Sequence, residues 1–265
     1  VLKNITIEII FLSIVFLCLY PIFNFQEVIY LNSPILITNS NIKLTNLNLI
    51  LNGKSDCPLI IIGNEYGEPI TNILINNITI DGNRLNQSKE LYKKTNRGII
   101  NNDGIFIQNC KNVRLSNINI KNCKSGGIVT TLGVDNLQIN NLTSENNEYD
   151  GAAFYETTNS FFYNISLKGN LAAGISLDNN FNFNVFSNCF IYSNDTAIFI
   201  RNSSNNKFLN INLNNNKFGI FMAQVNQFTN TGCINNKFQI FSDKIDCFKV
   251  NNKSCTGNEI KIDKR

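Results

Sequence analysis

The chain has 265 residues, enough for one large domain with a sizeable core, and 43% hydrophobic against 16% charged residues excludes a disordered tail. It contains no His and no Trp, which excludes Ser-His-Asp and Cys-His nucleophilic sites, HExxH zinc sites and haem held through His. The net charge of +4 is spread along the chain with no basic block and no glycine-rich phosphate loop, so neither nucleic acid nor nucleotide is an expected partner.

Asparagine is the unusual residue. The chain has 51 Asn and 39 Ile, about a third of its length, but only 18 Lys. An AT-rich gene would raise Lys together with Asn and Ile, so the asparagines are expected to serve the structure.

Residues 9–20 read IIFLSIVFLCLY, an uninterrupted apolar run closed by Pro21 and preceded by Lys3. This length fits a signal-peptide h-region better than a membrane span, which needs about 20 apolar residues. Glu8 and the lack of an A-x-A cleavage site count against a signal peptide, and a buried N-terminal strand or helix is the other reading. Residues 1–25 are expected to be a signal peptide or anchor and residues 26–265 the folded domain. The protein is then secreted, periplasmic or at the cell surface, touching a membrane only through an uncleaved N-terminal segment. None of the Cys residues shows C-x-x-C spacing, and only Cys247 and Cys255 flank a loop short enough for a local disulfide.

From residue 26 onward the pattern is one of short apolar–polar alternation, the signature of half-buried strands. PILITNSNIKLTNLNLILNG at 34–53 and ILINNITIDGN at 73–83 read as coils of a repeat. The polar segment 84–102 is too long for a corner and is expected to bulge out as an inserted loop. A clear period follows. Gly104-Ile105, Gly127-Ile128, Gly151-Ala152, Gly174-Ile175, Ala197-Ile198 and Gly219-Ile220 recur at steps of 22 to 24 residues. A second column runs through Asn117, Asn141, Asn164, Asn188, Asn210 and Asn230, and a third through Asn122, Asn147, Asn170, Asn194, Asn216 and Asn236. The segment 241–265 loses the pattern and gains charge, as a terminal cap does.

About 23 residues with two or three short strands is one coil of a parallel β-helix, each coil stacking about 4.8 Å above the last. The expected fold is all-β, a right-handed parallel β-helix with an Asn ladder. At equivalent corners an Asn side chain can donate to the Asn of the next coil, and Asn tolerates the left-handed backbone of sharp corners. The ladder of Asn117, Asn141, Asn164, Asn188 and Asn210 is expected to be buried, so that Asn164→Ala would strand its neighbours' polar groups.

The motifs IDGN at 80–83, NDGI at 102–105 followed by NVRLSNINIKN, and the recurring N-x-x-x-G-I corners resemble right-handed parallel β-helix proteins of the pectin-lyase-like superfamily. The resemblance covers residues 30–240. It implies the fold, and for many members export and action on acidic polysaccharides as lyases, epimerases or hydrolases; other members are tailspikes, adhesins or passive modules. Of the polygalacturonase-like pattern only Asp103 carries over, so that class is not expected. Copper-delivery and alginate-epimerase-like sites need His, which this chain lacks.

Four residues after each small corner residue, the column reads Gln108, Thr131, Tyr155, Asp178, Arg201 and Ala223. Strand alternation turns this column outward, because Ile105, Ile107, Ile175, Leu177, Ile198 and Ile200 point in. Tyr155, Asp178 and Arg201 are therefore the candidate catalytic residues of a lyase or epimerase on uronate-containing glycans. Arg201 would bind the substrate carboxylate and Tyr155 would move the proton. Asp150 and Glu156 are candidate substrate-binding residues, and Asp150 with Asp178 would hold calcium if calcium is used. Glu148, Tyr149 and Asp150 lie around one rim, with Asp103 two coils below Asp150. A structural Asp178–Arg201 pair and corner-forming Asp103 and Asp150 are the competing reading, and a non-catalytic glycan-binding or adhesin-like module is the alternative function.

Overall fold

The computed structural model describes residues 27–222, 236–242, 248–250 and 258–264. The apolar N-terminal run, Asn230, Cys247 and Cys255 lie outside them. The described chain is a right-handed parallel β-helix of about nine turns. Its only helical element among the described residues is one 3₁₀ turn, Arg84–Asn86, and among those residues no helix is long and apolar enough to cross a membrane.

Two long stacks of parallel strands carry the coil. The first, here the site face, begins with Ile35–Ile37 and Ile60–Ile62 and continues through the starts of Ile105–Lys121 and Ile128–Glu145. Ala152–Tyr155, Ala173–Asp178, Thr196–Ile200, Phe218–Met222 and Phe248–Val250 complete it. The small-residue column sets its register: Ile105, Ile128, Ala152, Ile175, Ile198 and Ile220 are successive partners. The second stack runs from Lys43–Leu51 to Lys237–Ser242 and pairs on to Glu259–Lys264, so strand stacking continues past residue 241.

The inward residues form one apolar column per position. Leu44, Ile75, Leu115 and Ile139 are followed in the same column by Phe162, Phe186, Phe208 and Phe238. The rings stack face to face, with centroids 4.3 Å apart for Phe162–Phe186, 5.2 Å for Phe186–Phe208 and 4.5 Å for Phe208–Phe238. The rung spacing of a sheet is close to the contact distance of stacked rings, so identical aromatics on consecutive coils pack without a void.

The asparagines divide into two jobs. Of 27 described non-glycine residues with positive φ, 21 are Asn, so most of the excess is spent on left-handed corners. Asn117, Asn141, Asn164, Asn188 and Asn210 do stack at one such corner: Asn141 Nδ2 donates to Asn117 Oδ1 at 2.9 Å, and Asn164 to Asn141 at 2.7 Å. That ladder is exposed, which corrects the expectation that Asn164 is buried. The tight turn presents this side chain outward.

Two other ladders are buried. One is Asn147–Asn170–Asn194–Asn216, in which each Oδ1 accepts both the backbone N–H and the Nδ2 of the Asn one coil earlier. Cys123 occupies the equivalent place below Asn147 and gives its N–H to Asn147 Oδ1. Asn122, read from the sequence as part of this column, instead holds the left-handed position beside it. Asn236 belongs to the other buried ladder, Ser160–Asn184–Asn206–Asn236–Asn258. These side chains satisfy corner N–H groups that have no strand partner.

Candidate functional site

The segment 84–102 is a built element. After its 3₁₀ turn it forms the antiparallel hairpin Leu91–Lys94 with Ile99–Asn101 and lies on the site face. Its Ile100 packs against Ile61 and Phe106, two outward residues of consecutive rungs that it leaves only 6% and 2% exposed. A cleft of about 330 Å³ opens between the hairpin and the next rungs, lined among others by Glu90, Arg97, Asp103, Tyr149, Asp150 and Tyr155.

The two aspartates hold the cleft's chemistry. Asp103 and Asp150 both sit one position before the corner glycines Gly104 and Gly151, and the register Ile105–Ile128–Ala152, carried back two residues, sets both level with Gly126. Asp103 Oδ1 accepts the N–H of Gly126 at 2.9 Å, and Asp150 Oδ1 that of Ala173 at 2.8 Å. Burial pushes the Asp103 carboxyl up to about 7, against the N–H of Gly126 and the Ser125 side chain, with Glu90 and Asp150 adding to the rise. Burial also raises Asp150, to about 6, against the Ala173 N–H. Burial thus holds both carboxyls closer to neutral pH than an ordinary carboxylate, Asp103 more strongly than Asp150.

Tyr155 faces the same cleft, and burial pushes its phenol up to about 12, with Asp150 and Asp178 adding to the shift. It stays a hydrogen-bond donor throughout the working pH range. Tyr149 is raised too, first through its hydrogen bond to Glu90. Three carboxyl groups against the single cation Arg97 make the cleft walls acidic.

The column read from the sequence is present. Tyr155 and Asp178 are strand partners, and Arg201 follows one rung on, its N–H bonded to Leu177 O at 2.8 Å. Arg201 gives Nε to Asp178 Oδ2 at 2.7 Å and reaches the same oxygen through Nη2. Asp178 is only 2% exposed, so this half-exposed guanidinium serves a buried carboxylate. Of the residues singled out from the sequence, Tyr155 and Asp150 line the cleft together, whereas Asp178, Arg201 and Glu156 do not. Glu156 holds the left-handed corner after Tyr155, with φ 50°, and Glu148 is paired with Lys124 at 2.9 Å.

Asp150 and Asp178, the calcium candidates, already accept hydrogen bonds: Asp178 Oδ2 from Arg201 and its Oδ1 from the Asn179 N–H, and Asp150 Oδ1 from the Ala173 N–H. Among the described residues no three His, Cys, Asp or Glu side chains are grouped to hold a metal ion. Segment 84–102 was expected from the sequence to wall one side of the groove, and its residues do line the cleft; Glu90 was not singled out, because nothing in a polar insertion tells which of its side chains turn inward. The pairing of Asp103 with Asp150 was available from the glycine column.

The right-handed β-helix region family matches residues 28–238 of the sequence. The chain belongs to that family. No curated protein sequence matches it. Among solved β-helix structures, the catalytic domain of a GH87 α-1,3-glucanase in complex with nigerose superposes with a TM-score of 0.60 at 14% identity, covering 89% of this chain. This β-helix spans 40% of the length of that glucanase chain. The A-module of the Azotobacter vinelandii mannuronan C-5 epimerase AlgE4 gives 0.45 at 12% identity, covering 90% of this chain and 86% of the module. The tailspike gp49 of Pseudomonas phage LKA1 gives 0.49 at 11% identity, over 78% of this chain and 31% of the tailspike. At these identities the likeness is one of fold.

Proposed function

We propose that this β-helix protein hydrolyses a neutral polysaccharide in the cleft between the hairpin and the rungs of Asp103 and Asp150. The observation that carries the reading is that two carboxyls, Asp103 and Asp150, line one cleft, where burial pushes them up to about 7 and about 6. Protonated Asp103 delivers its proton to the glycosidic oxygen as the C–O bond breaks. Ionised Asp150 takes a proton from water, whose hydroxyl joins the anomeric carbon. The backbones of the two aspartates lie two rungs apart, about 9–10 Å, which is nearer the carboxyl spacing of inverting pairs, about 6.5–9.5 Å, than that of retaining pairs, about 5–5.5 Å, and favours inversion. The phenol of Tyr155 donates to a sugar hydroxyl. The acidic walls favour a neutral glycan over a polyuronate. The glucanase similarity makes α-1,3-glucan the first substrate to assay, by reducing-sugar release. Absence of turnover on it and on a panel of other neutral glucans would end the reading. Export, read from the apolar run at residues 9–20, is part of the proposal, because a polysaccharide substrate lies outside the cell.

A second reading rests on Arg201, which offers a half-exposed guanidinium one rung beyond Asp178. In it Arg201 holds a uronate carboxylate and Tyr155 moves the C5 proton, as a lyase or epimerase requires. Two features weigh against it: Asp178 already pairs with Arg201, and burial keeps the Tyr155 phenol protonated, so little phenolate is there to take a proton. Unsaturated products absorbing in the ultraviolet, formed from a polyuronate, would favour this reading over hydrolysis. Binding of a glycan without any turnover would favour a glycan-binding module.

A further inference from the structure

We infer that the hairpin Leu91–Lys94 with Ile99–Asn101 is a bar across the substrate groove, and that the protein therefore acts on chain ends. This rests on the hydrolytic reading of the Asp103–Asp150 cleft and adds its mode of attack. The bar is fastened on both sides of the rung Ile60–Ile62 that it crosses. Before that rung, the Asp56 carboxylate accepts the N–H of Ser88 at 2.7 Å, the N–H of Lys89 at 3.2 Å and the Ser88 hydroxyl. After it, Glu65 accepts the Arg97 N–H on Oε1 and Arg97 Nη1 on its carbonyl, both at 3.0 Å. Between the two clamps Ile100 seals against Ile61 and Phe106. The cover is local, because Leu36, the equivalent outward residue one rung earlier, is 61% exposed.

On the other side of the bar the outward column is low and lies deep, Ala153 and Ser176 being 3% and 7% exposed. It runs Val129, Ala153, Ser176, then Phe199 and Phe221, whose rings stack at 5.7 Å. Small side chains make a floor, and the aromatic pair beyond them offers a face for sugar C–H groups. A glycan lying along this column meets the bar at Phe106. Asp103 shares Phe106's rung, and from there to the rung of Asp150 is two rung spacings, about 10 Å, which admits one or two sugar units between the bar and Asp150. An internal segment of a long chain has no exit there, whereas a chain end does.

The test follows early products from defined-length oligomers of whichever neutral glucan is turned over, labelled at one end or the other. The expected result is a mono- or disaccharide as the sole early product, with a bulky label at one end abolishing release. Arg97→Ala loosens one clamp, and replacement of 93–98 by two glycines removes the tip; each should raise the ratio of longer products to mono- and disaccharide at least tenfold. A spread of oligomers from the intact protein at the first time point would overturn the bar while leaving hydrolysis standing. A properly folded clamp variant with an unchanged product ratio would also overturn it. No turnover of any neutral glucan would remove both.

Discussion

Asp103 and Asp150 lie level with the same residue, Gly126, one rung to either side of it, when the register Ile105–Ile128–Ala152 is carried back two residues. A Cβ at Gly126 would stand 3.4 Å from Asp103 Oδ1 and 2.9 Å from Val129 Cγ2, so the absent side chain keeps the space between the two acids clear. Burial holds the two carboxyls near 7 and 6. Turnover should rise with pH as Asp150 ionises through about 6 and fall as Asp103 deprotonates through about 7, giving a narrow bell whose limbs belong to the coupled pair. Asp103→Asn and Asp150→Asn should each lower kcat by about 10²–10⁴. Initial rates at pH 4.5–9 check this, and a rate constant across pH 5.5–7.5 would contradict it.

The same burial has a stability consequence of definite sign. The folded value of Asp103, about 7, lies above that of a carboxyl in the unfolded chain, about 4. The native state therefore binds the proton more tightly, and stability present at low pH is lost as pH rises from about 4 through about 7. Asp103→Asn keeps an acceptor for the Gly126 N–H and removes the buried charge. At pH 8 it should raise the thermal midpoint by at least about 2 °C, the effect of roughly 1 kcal/mol in a domain of this size. The gain should vanish near pH 4. Calorimetry at the two pH values measures it.

The buried and exposed Asn ladders should differ when cut. Asn170 Oδ1 accepts the N–H and Nδ2 of Asn147, and its Nδ2 donates to Asn194 Oδ1 and Ser144 O. Asn170→Ala leaves those groups partnerless inside the coil and should cost about 2–4 kcal/mol. Asn164→Ala loses an exposed contact and puts Ala at φ 55°, a cost of about 1–2 kcal/mol. Equal urea midpoints for the two variants would show that the interior ladder carries no special share of stability.

These contrasts mark what the sequence made legible. The coil length, the strand register and the Tyr155–Asp178–Arg201 column follow from a period of fixed length, because in a parallel solenoid equal sequence position means equal height and face. A period does not say which side of a corner a polar residue points to. Asn164 and Asn170 look alike in the sequence, yet one faces water and the other fills a corner. Asn122 was assigned to the column of its neighbour Cys123 because the eye follows residue type, whereas the backbone counts position. That segment 84–102 walls the groove was legible from its place in the repeat, but its hairpin form and Glu90 were not, since the segment interrupts the period and depends on the distant anchors Asp56 and Glu65.

The left-handed corner after the site face is Asn at 109, 179 and 202 but Glu at 156, with φ 50°. A side chain of that length gains nothing locally from a left-handed backbone, whereas Asn does. Glu156→Asn should therefore stabilise the protein by up to about 1 kcal/mol. Since Glu156 lies outside the cleft walls, turnover should be unaffected if hydrolysis occurs there. A fall in denaturant midpoint would show that the glutamate makes a compensating contact.

Arg201 separates a structural from a catalytic role most cleanly. Its removal leaves Asp178, 2% exposed, with the Asn179 N–H but without its charged partner. Arg201→Ala should thus destabilise the fold by about 1–3 kcal/mol, and adding Asp178→Asn should restore most of that loss, because the neutral amide no longer needs a counter-charge. Hydrolysis in the Asp103–Asp150 cleft predicts that the double variant, once as stable as the parent, keeps turnover within about threefold. A uronate lyase or epimerase that uses Arg201 predicts a loss that restored stability does not repair. Denaturation midpoints and kcat/KM measured on the same four proteins decide between them.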